Sequence, residues 1–219
     1  MERHNPECKQ EMIKMAHQQY KLDGVIYPSV TEILSIVAKP GLVAWANSMG
    51  LAGKSTKDES QRIAGIGTEV HARIEQYFKE GTSIFEGATA EALPSLHLFN
   101  NWIQKHKIEP ILIEESMISP KLGYAGTIDL LAKVDDKLTL IDFKTSNRIY
   151  EDYFAQLCAY KRLLSEKGFV PEAMLIIRLS KDHEVSFEEA EVNNEQLYLE
   201  YFDAVFNLYK VLKKVEIKR

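Results

Sequence analysis

Two largely apolar runs, each interrupted by one aspartate, flank the turn signal Val134-Asp135-Asp136-Lys137 and constrain this chain more than any other feature. Gly126-Thr127-Ile128-Asp129 lies before the turn, and Leu140-Ile141-Asp142-Phe143-Lys144-Thr145 after it. Such runs around two turn formers predict an antiparallel hairpin. Strand side chains alternate faces, so Asp142 and Lys144, two apart, point the same way. With Asp135-Asp136 as a two-residue turn, Val134 faces Lys137, and counting back sets Asp129 opposite Asp142. Facing carboxylates repel unless something cationic lies between them. A hard divalent metal with oxygen ligands is the natural occupant.

The rest of the chain supplies a mixed α/β frame. Asp23-Gly24 predicts a tight turn between short extended segments over 22–27, and residues 8–20 a loosely amphipathic helix. Ser29-Val30-Thr31-Glu32 has the capping-box spacing, so a helix is expected over about 30–37, stopping before Pro40. A short helix over 41–49, a polar loop over 53–60, and a helix over about 60–80 ending at Gly81 follow. A linker spans 81–94. A helix over 94–106 carries Leu96, Phe99, Trp102 and Ile103 at helical period. Strands are then expected over 111–118, 124–134 and 138–144, a helix over 150–168, strands over 173–179 and 185–191, and a final helix over 194–214. We expect 1–219 to form one domain, with a helical N-terminal extension over 1–60 and the core plus a C-terminal helix over 61–219.

Bulk properties narrow the class. Apolar residues make up 45% and charged residues 27%, ordinary for a globular protein. No apolar run nears the roughly 20 residues of a membrane helix, and the N-terminus lacks the apolar stretch of a secretory signal. The two cysteines, Cys8 and Cys158, lack knuckle spacing and read as reduced thiols in a cytoplasmic protein. Two are too few for a four-cysteine iron–sulfur cluster. The net charge of −5 runs against a nucleic-acid binder, but a metal site concentrates acids that the ion neutralises. Basic residues gather at Lys210, Lys213, Lys214, Lys218 and Arg219, where the dipole of a helix C-terminus accounts for them more readily than a DNA contact does.

Several other residues invite a chemical reading. His71 and Glu75, four apart, share a helix face. Alone, such a histidine is more often a surface residue; Glu75 would orient it, bind a metal through water, or be solvated. Gln156 and Tyr160 also lie one turn apart, although Tyr160 belongs to an apolar stripe with Tyr153, Leu157 and Leu164. Thr145 and Ser146 fit either phosphate contact or turn chemistry. Arg178 sits in an apolar strand and calls for an anionic partner, an acid of the site or a phosphate. Trp45 and the Ser29–Thr31 turn suit either base stacking or N-terminal packing.

Asp129 followed by Asp142-Phe143-Lys144 resembles the core motif of the PD-(D/E)XK nuclease superfamily. Gly67-Thr68-Glu69-Val70-His71 with Glu75 resembles the helical histidine motif of its RecB-like branch, and Gln156 to Tyr160 that branch's QxxxY motif. Pro28-Ser29-Val30-Thr31 is similar to a segment of phage-type exonucleases and of the mitochondrial genome maintenance exonuclease. The order is the family's, and the three stronger matches span residues 67–160. The resemblance implies a restriction-endonuclease-like core of helix, three-strand meander, helix and strand. It implies a metal-dependent DNA exonuclease acting on single-stranded DNA or duplex ends, with magnesium or manganese as cofactor. Its metal ligands would be His71, Asp129, Asp142 and the Phe143 carbonyl. Lys144 would orient or activate the attacking water, or stabilise transition-state charge, and Gln156 would pack beside it. Gln156, Tyr160, Thr145 and Arg178 would contact substrate. Some members place another acid where Glu114 and Glu115 open the first strand. The resemblance also allows an oligomer, and two alternatives stand beside the enzyme reading: a non-catalytic nucleic-acid-binding member of the same fold, and a metallohydrolase of other phosphoesters.

Overall fold

The computed structural model describes residues 20–181 and 186–217; residues 8–19 of the helix expected over 8–20, and the terminal Lys218-Arg219, lie outside them, while Tyr20 is in a strand. A small hairpin comes first, β1 (Tyr20–Leu22) and β2 (Val25–Tyr27). Asp23 and Gly24 both have positive φ, 50° and 81°, as a primed two-residue turn requires. Ser29 Oγ accepts the Glu32 amide at 2.9 Å and starts α1 (Val30–Leu34), shorter than the 30–37 expected. The capping box closes on one side only, because the Glu32 carboxylate instead accepts the Tyr209 hydroxyl.

α2 spans Pro40–Leu51 and α3 spans Thr56–Glu80. Most of the loop expected over 53–60 is therefore helix. Ser55 accepts the Asp58 amide at 3.2 Å, and Asp58 and Glu59 complement the positive end of the dipole. Gly81 (φ 69°) ends α3, and α4 covers Leu93–Ile103.

The main sheet follows: β3 (Ile108–Ser119), β4 (Tyr124–Val134), β5 (Lys137–Lys144), β6 (Ala173–Leu179) and β7 (Phe187–Glu191), adjacent in that order. β3 to β5 form the expected antiparallel meander. The crossover helix α5 (Glu151–Glu166) then returns the chain so that β6 lies parallel to β5, and β7 closes the edge antiparallel. α6 (Glu195–Ile217) ends the described chain. No described helix is long and apolar enough to cross a membrane.

Alternation along β5 sorts the sheet into two apolar layers. Leu140 packs with α1, α5 and α6 residues such as Leu157 and Phe202, while Ile141 and Phe143 pack with α3 and α4. The Phe143 ring lies 5.6 Å from Phe99 and 6.1 Å from Trp102, centroid to centroid. Asp142 and Lys144 are thereby presented to the α5 side. Alternation breaks on β4 at the end that carries the aspartates. Ile128 joins the α5 layer and Leu130 the α4 layer, although they are two apart. The break falls at Asp129, beside Glu114 on β3, whose φ is +49°. A left-handed non-glycine residue inside a strand costs on the order of 1–3 kcal/mol and persists only where its surroundings impose it.

Candidate active site

The turn behaves as the spacing predicts. Asp135 and Asp136 have φ of 49° and 69°, and the ladder pairs Val134 with Lys137 through to Leu130 with Ile141. Continuing the count reaches Asp129 and Asp142. The ladder stops just short of them, and Asp129 Oδ2 accepts the Phe143 amide at 2.8 Å. The peptide unit of Phe143 therefore sits at the centre, while its side chain lies in the opposite layer.

Asp129 and Asp142 line a cavity of about 1130 Å³. One wall is a single face of α3, where Ala64, Gly67, Thr68, His71, Ala72 and Glu75 recur at helical spacing. The floor is the sheet, with Glu114, Thr127, Asp129, Asp142 and Lys144. Gln156 and Tyr160 of α5 form the far wall, and the hairpin residues Tyr20, Ile26 and Tyr27 close the near end. Tyr20 OH shares a hydrogen bond with Thr127 Oγ1 (2.8 Å), which pins the hairpin to the sheet.

Gln156 organises the far wall. Its Nε2 donates to Asp142 Oδ1 (2.9 Å) and lies 3.1 Å from Tyr160 OH, while its Oε1 accepts from Lys144 Nζ (3.2 Å). Lys144 Nζ also stands 2.6 Å from Asp142 Oδ2 and 4.8 Å from the centre of the Tyr153 ring. The buried Asp142 Oδ2 has this ammonium as its only close polar partner. On the α3 side, His71 Nδ1 lies 3.5 Å from Asp129 Oδ2. His71, Glu114 and Asp129 each offer a ligand atom within 4.8 Å of the others, the one such group of three among the described residues. Glu75 points into the cavity but is ion-paired to Lys79 at 2.7 Å.

The electrostatics follow from crowding. Burial, then the Asp129 and Glu75 charges, pushes the Glu114 carboxyl up to about 8. Burial raises Asp142 to about 6, with Lys144 opposing and Asp129 adding to the rise. Burial alone would depress Lys144, but Asp142 and Asp129 outweigh it and hold the ammonium above the usual lysine range. The site thus carries more negative charge than its own cations neutralise. Carboxylate oxygens and one imidazole form a donor set suited to magnesium or manganese.

The structure brings Asp129, Asp142, Lys144, His71, Gln156, Tyr160 and Glu75 together. Thr145 is not on the cavity lining; it lies against α3, where a β-carbon on Gly67 would stand 3.0 Å from its Oγ1. Arg178 falls outside the cavity lining. It is buried, but its partner is Glu188 on β7 (2.9 Å), with the Ser146 carbonyl and Ser186 Oγ taking further donors. It belongs to the sheet edge because β6 places it beside β7. Trp45 also falls outside the lining. Conversely, Glu114 is a more central member of the site than its sequence context conveys. Alternation alone could not choose between Glu114 and Glu115; the left-handed backbone at Glu114 turns it inward, and Glu115 pairs with Lys167 outside.

Comparison with known proteins is consistent with this picture. No curated protein matches the sequence significantly. Among solved structures, 17 chains match. One is the crystal structure of SSO0001, with 18% sequence identity, covering 64% of this chain and 71% of that chain, at a TM-score of 0.29. A likeness at that score carries no weight here. The family model for the PD-(D/E)XK nuclease superfamily matches residues 44–217, which include the whole sheet and every catalytic candidate. Well over half the chain is matched, and the chain belongs to the PD-(D/E)XK nuclease superfamily.

Proposed function

We propose that the protein is a magnesium- or manganese-dependent DNA exonuclease of the RecB-like branch, acting on single-stranded DNA or exposed duplex ends, with residues 1–219 as one nuclease domain. The observation that carries this is the meeting, in one cavity, of the His71, Glu114 and Asp129 group with Asp142, Lys144 and Gln156. The branch is supported by a histidine from α3 and a glutamine and tyrosine from α5 at the same centre. A single-strand preference is supported by the β1–β2 hairpin and the Ser29–Glu32 segment, which wall the cavity.

Asp129, Glu114, His71 and Asp142 would hold the ion, with the Phe143 peptide beside them. A divalent ion there supplies charge neutralisation at phosphorus and a more acidic attacking water. Lys144 keeps its proton beside Asp142 and Asp129, so it serves as a fixed cation and donor toward water or phosphate oxygen. Gln156 sets the Lys144 head group and shields Asp142 Oδ1. Tyr160 backs Gln156.

The test is degradation of end-labelled single-stranded and duplex DNA with magnesium, manganese or chelator, beside Lys144→Ala. Metal-dependent cleavage lost in the variant supports the proposal, and the label reports polarity. DNA bound but uncut under every metal would leave a nucleic-acid-binding member of the fold. Cleavage of small phosphoesters without DNA would point to another metallohydrolase.

A further inference from the structure

A second cleft, of about 380 Å³, lies where α6 passes the β3–β4 turn. Leu122, Phe206 and Tyr209 form its apolar base, and Lys210, Lys213 and Lys214 its rim. No acidic residue lines it. Lys210 Nζ sits 4.4 Å above the Phe206 ring, and Lys213 Nζ lies 5.4 Å from the Tyr209 ring and 3.4 Å from Glu216. The helix dipole accounts for Lys214 in the last turn of α6, but its effect has faded at Lys210.

The cleft adjoins the catalytic cavity. Pro28 lines the cleft, while its neighbours Tyr27 and Ser29, with Thr31 and Glu32, line the cavity. Tyr209 ties the two together through its hydrogen bond to Glu32. One short segment is therefore the shared wall. A strand leaving the acidic cavity over that wall meets three lysines, two of them against aromatic rings, in a chain whose net charge is −5. Cationic side chains with aromatic surface form the usual sequence-independent grip on single strands.

We propose that this lysine–aromatic cleft is a second nucleic-acid subsite, which holds backbone phosphates of the single strand on one side of the cleaved bond. The inference rests on the nuclease reading above. By pulling the strand across the wall, it would offset the repulsion between DNA and the acidic cavity, and it would bind long substrates more tightly than short ones.

The test compares three proteins in a cleavage-inactive Lys144→Ala background with magnesium. One has no further change, one carries Lys210→Gln, Lys213→Gln and Lys214→Gln, and a charge-matched control carries Lys105→Gln, Lys107→Gln and Lys137→Gln at the far end of the sheet. Fluorescence anisotropy of labelled oligothymidylate gives affinity against salt, and circular dichroism melting checks the fold. Loss of three phosphate contacts should weaken binding by about 10-fold or more and lower the log–log salt slope by about 2, at roughly 0.7 per contact on single strands. The control should keep the parent slope. Equal affinity and slope in the cleft variant and its parent would overturn the inference while leaving the nuclease reading intact. An equal loss in the control would reduce the effect to net charge and overturn it too. A wild type that neither cuts nor binds DNA would remove the nuclease reading and this subsite with it.

Discussion

Gly126→Ala should damage the site without touching any group that takes part in the chemistry. Gly126 lies under the ring of Tyr160, and a β-carbon there would stand 2.4 Å from Cε1, 3.1 Å from Cδ1 and 3.4 Å from Cζ. Ordinary contact begins at 3.4 Å, so the ring must retreat by 3.4 − 2.4, or about 1 Å. Tyr160 is 3% exposed and belongs to the same core layer as Ala159, Leu163 and Ile128, so apart from the edge that lines the cavity its ring has little room to move. Forcing a carbon into a filled core costs about 1–3 kcal/mol, which in a chain of this size lowers Tm by roughly 2–12 °C. Ring displacement also stretches the 3.1 Å contact to Gln156 Nε2, the same nitrogen that holds Asp142 Oδ1. Turnover per folded molecule should therefore fall as well. Thermal unfolding and steady-state cleavage measure the two effects, and adding Tyr160→Leu should recover part of the stability by clearing the ring. An unchanged Tm in Gly126→Ala, or strictly additive losses in the double variant, would refute this account of why the residue before Asp129 by three is a glycine.

Other outcomes follow from the same geometry. Gln156→Ala takes away the acceptor of Lys144 and the donor to Asp142 Oδ1, so stability should drop by about 1–3 kcal/mol and kcat should fall; an unaltered kcat would show that Lys144 holds its place alone. Glu114 and Asp142 are raised to about 8 and about 6, so between the ordinary carboxylate range and those values the folded chain holds protons that the unfolded chain has released. Metal-free stability should thus be highest at mildly acidic pH and decline as pH rises through about 6 and then about 8, while the gain in Tm from magnesium grows over the same window; scanning fluorimetry with chelator or magnesium reads both, and a chelated protein that gains stability toward pH 8 would contradict it. Arg178→Gln removes a buried guanidinium and its bonds to Glu188, Ser186 and the Ser146 carbonyl, so it should lower Tm; a selective rise in KM with Tm intact would return Arg178 to the substrate.

Much of this protein is legible in the order of its residues. The Asp135-Asp136 turn and period-two alternation determine the hairpin register, which brings Asp129, Asp142 and Lys144 to one end of the sheet. Helical spacing likewise puts His71 and Glu75 on one face of α3, and Gln156 beside Tyr160 on α5. These are local rules, in which a few neighbouring residues set which way a side chain points. Tertiary structure alone decided the rest. It chose Glu114 over Glu115 through a left-handed residue that breaks alternation, and it joined Arg178 to Glu188 across strands that no local pattern pairs. It placed Tyr160 over Gly126, and Tyr209 against Glu32 from 177 positions away. Such contacts depend on how the sheet twists and where helices land on it, so they appear only once the layers are packed.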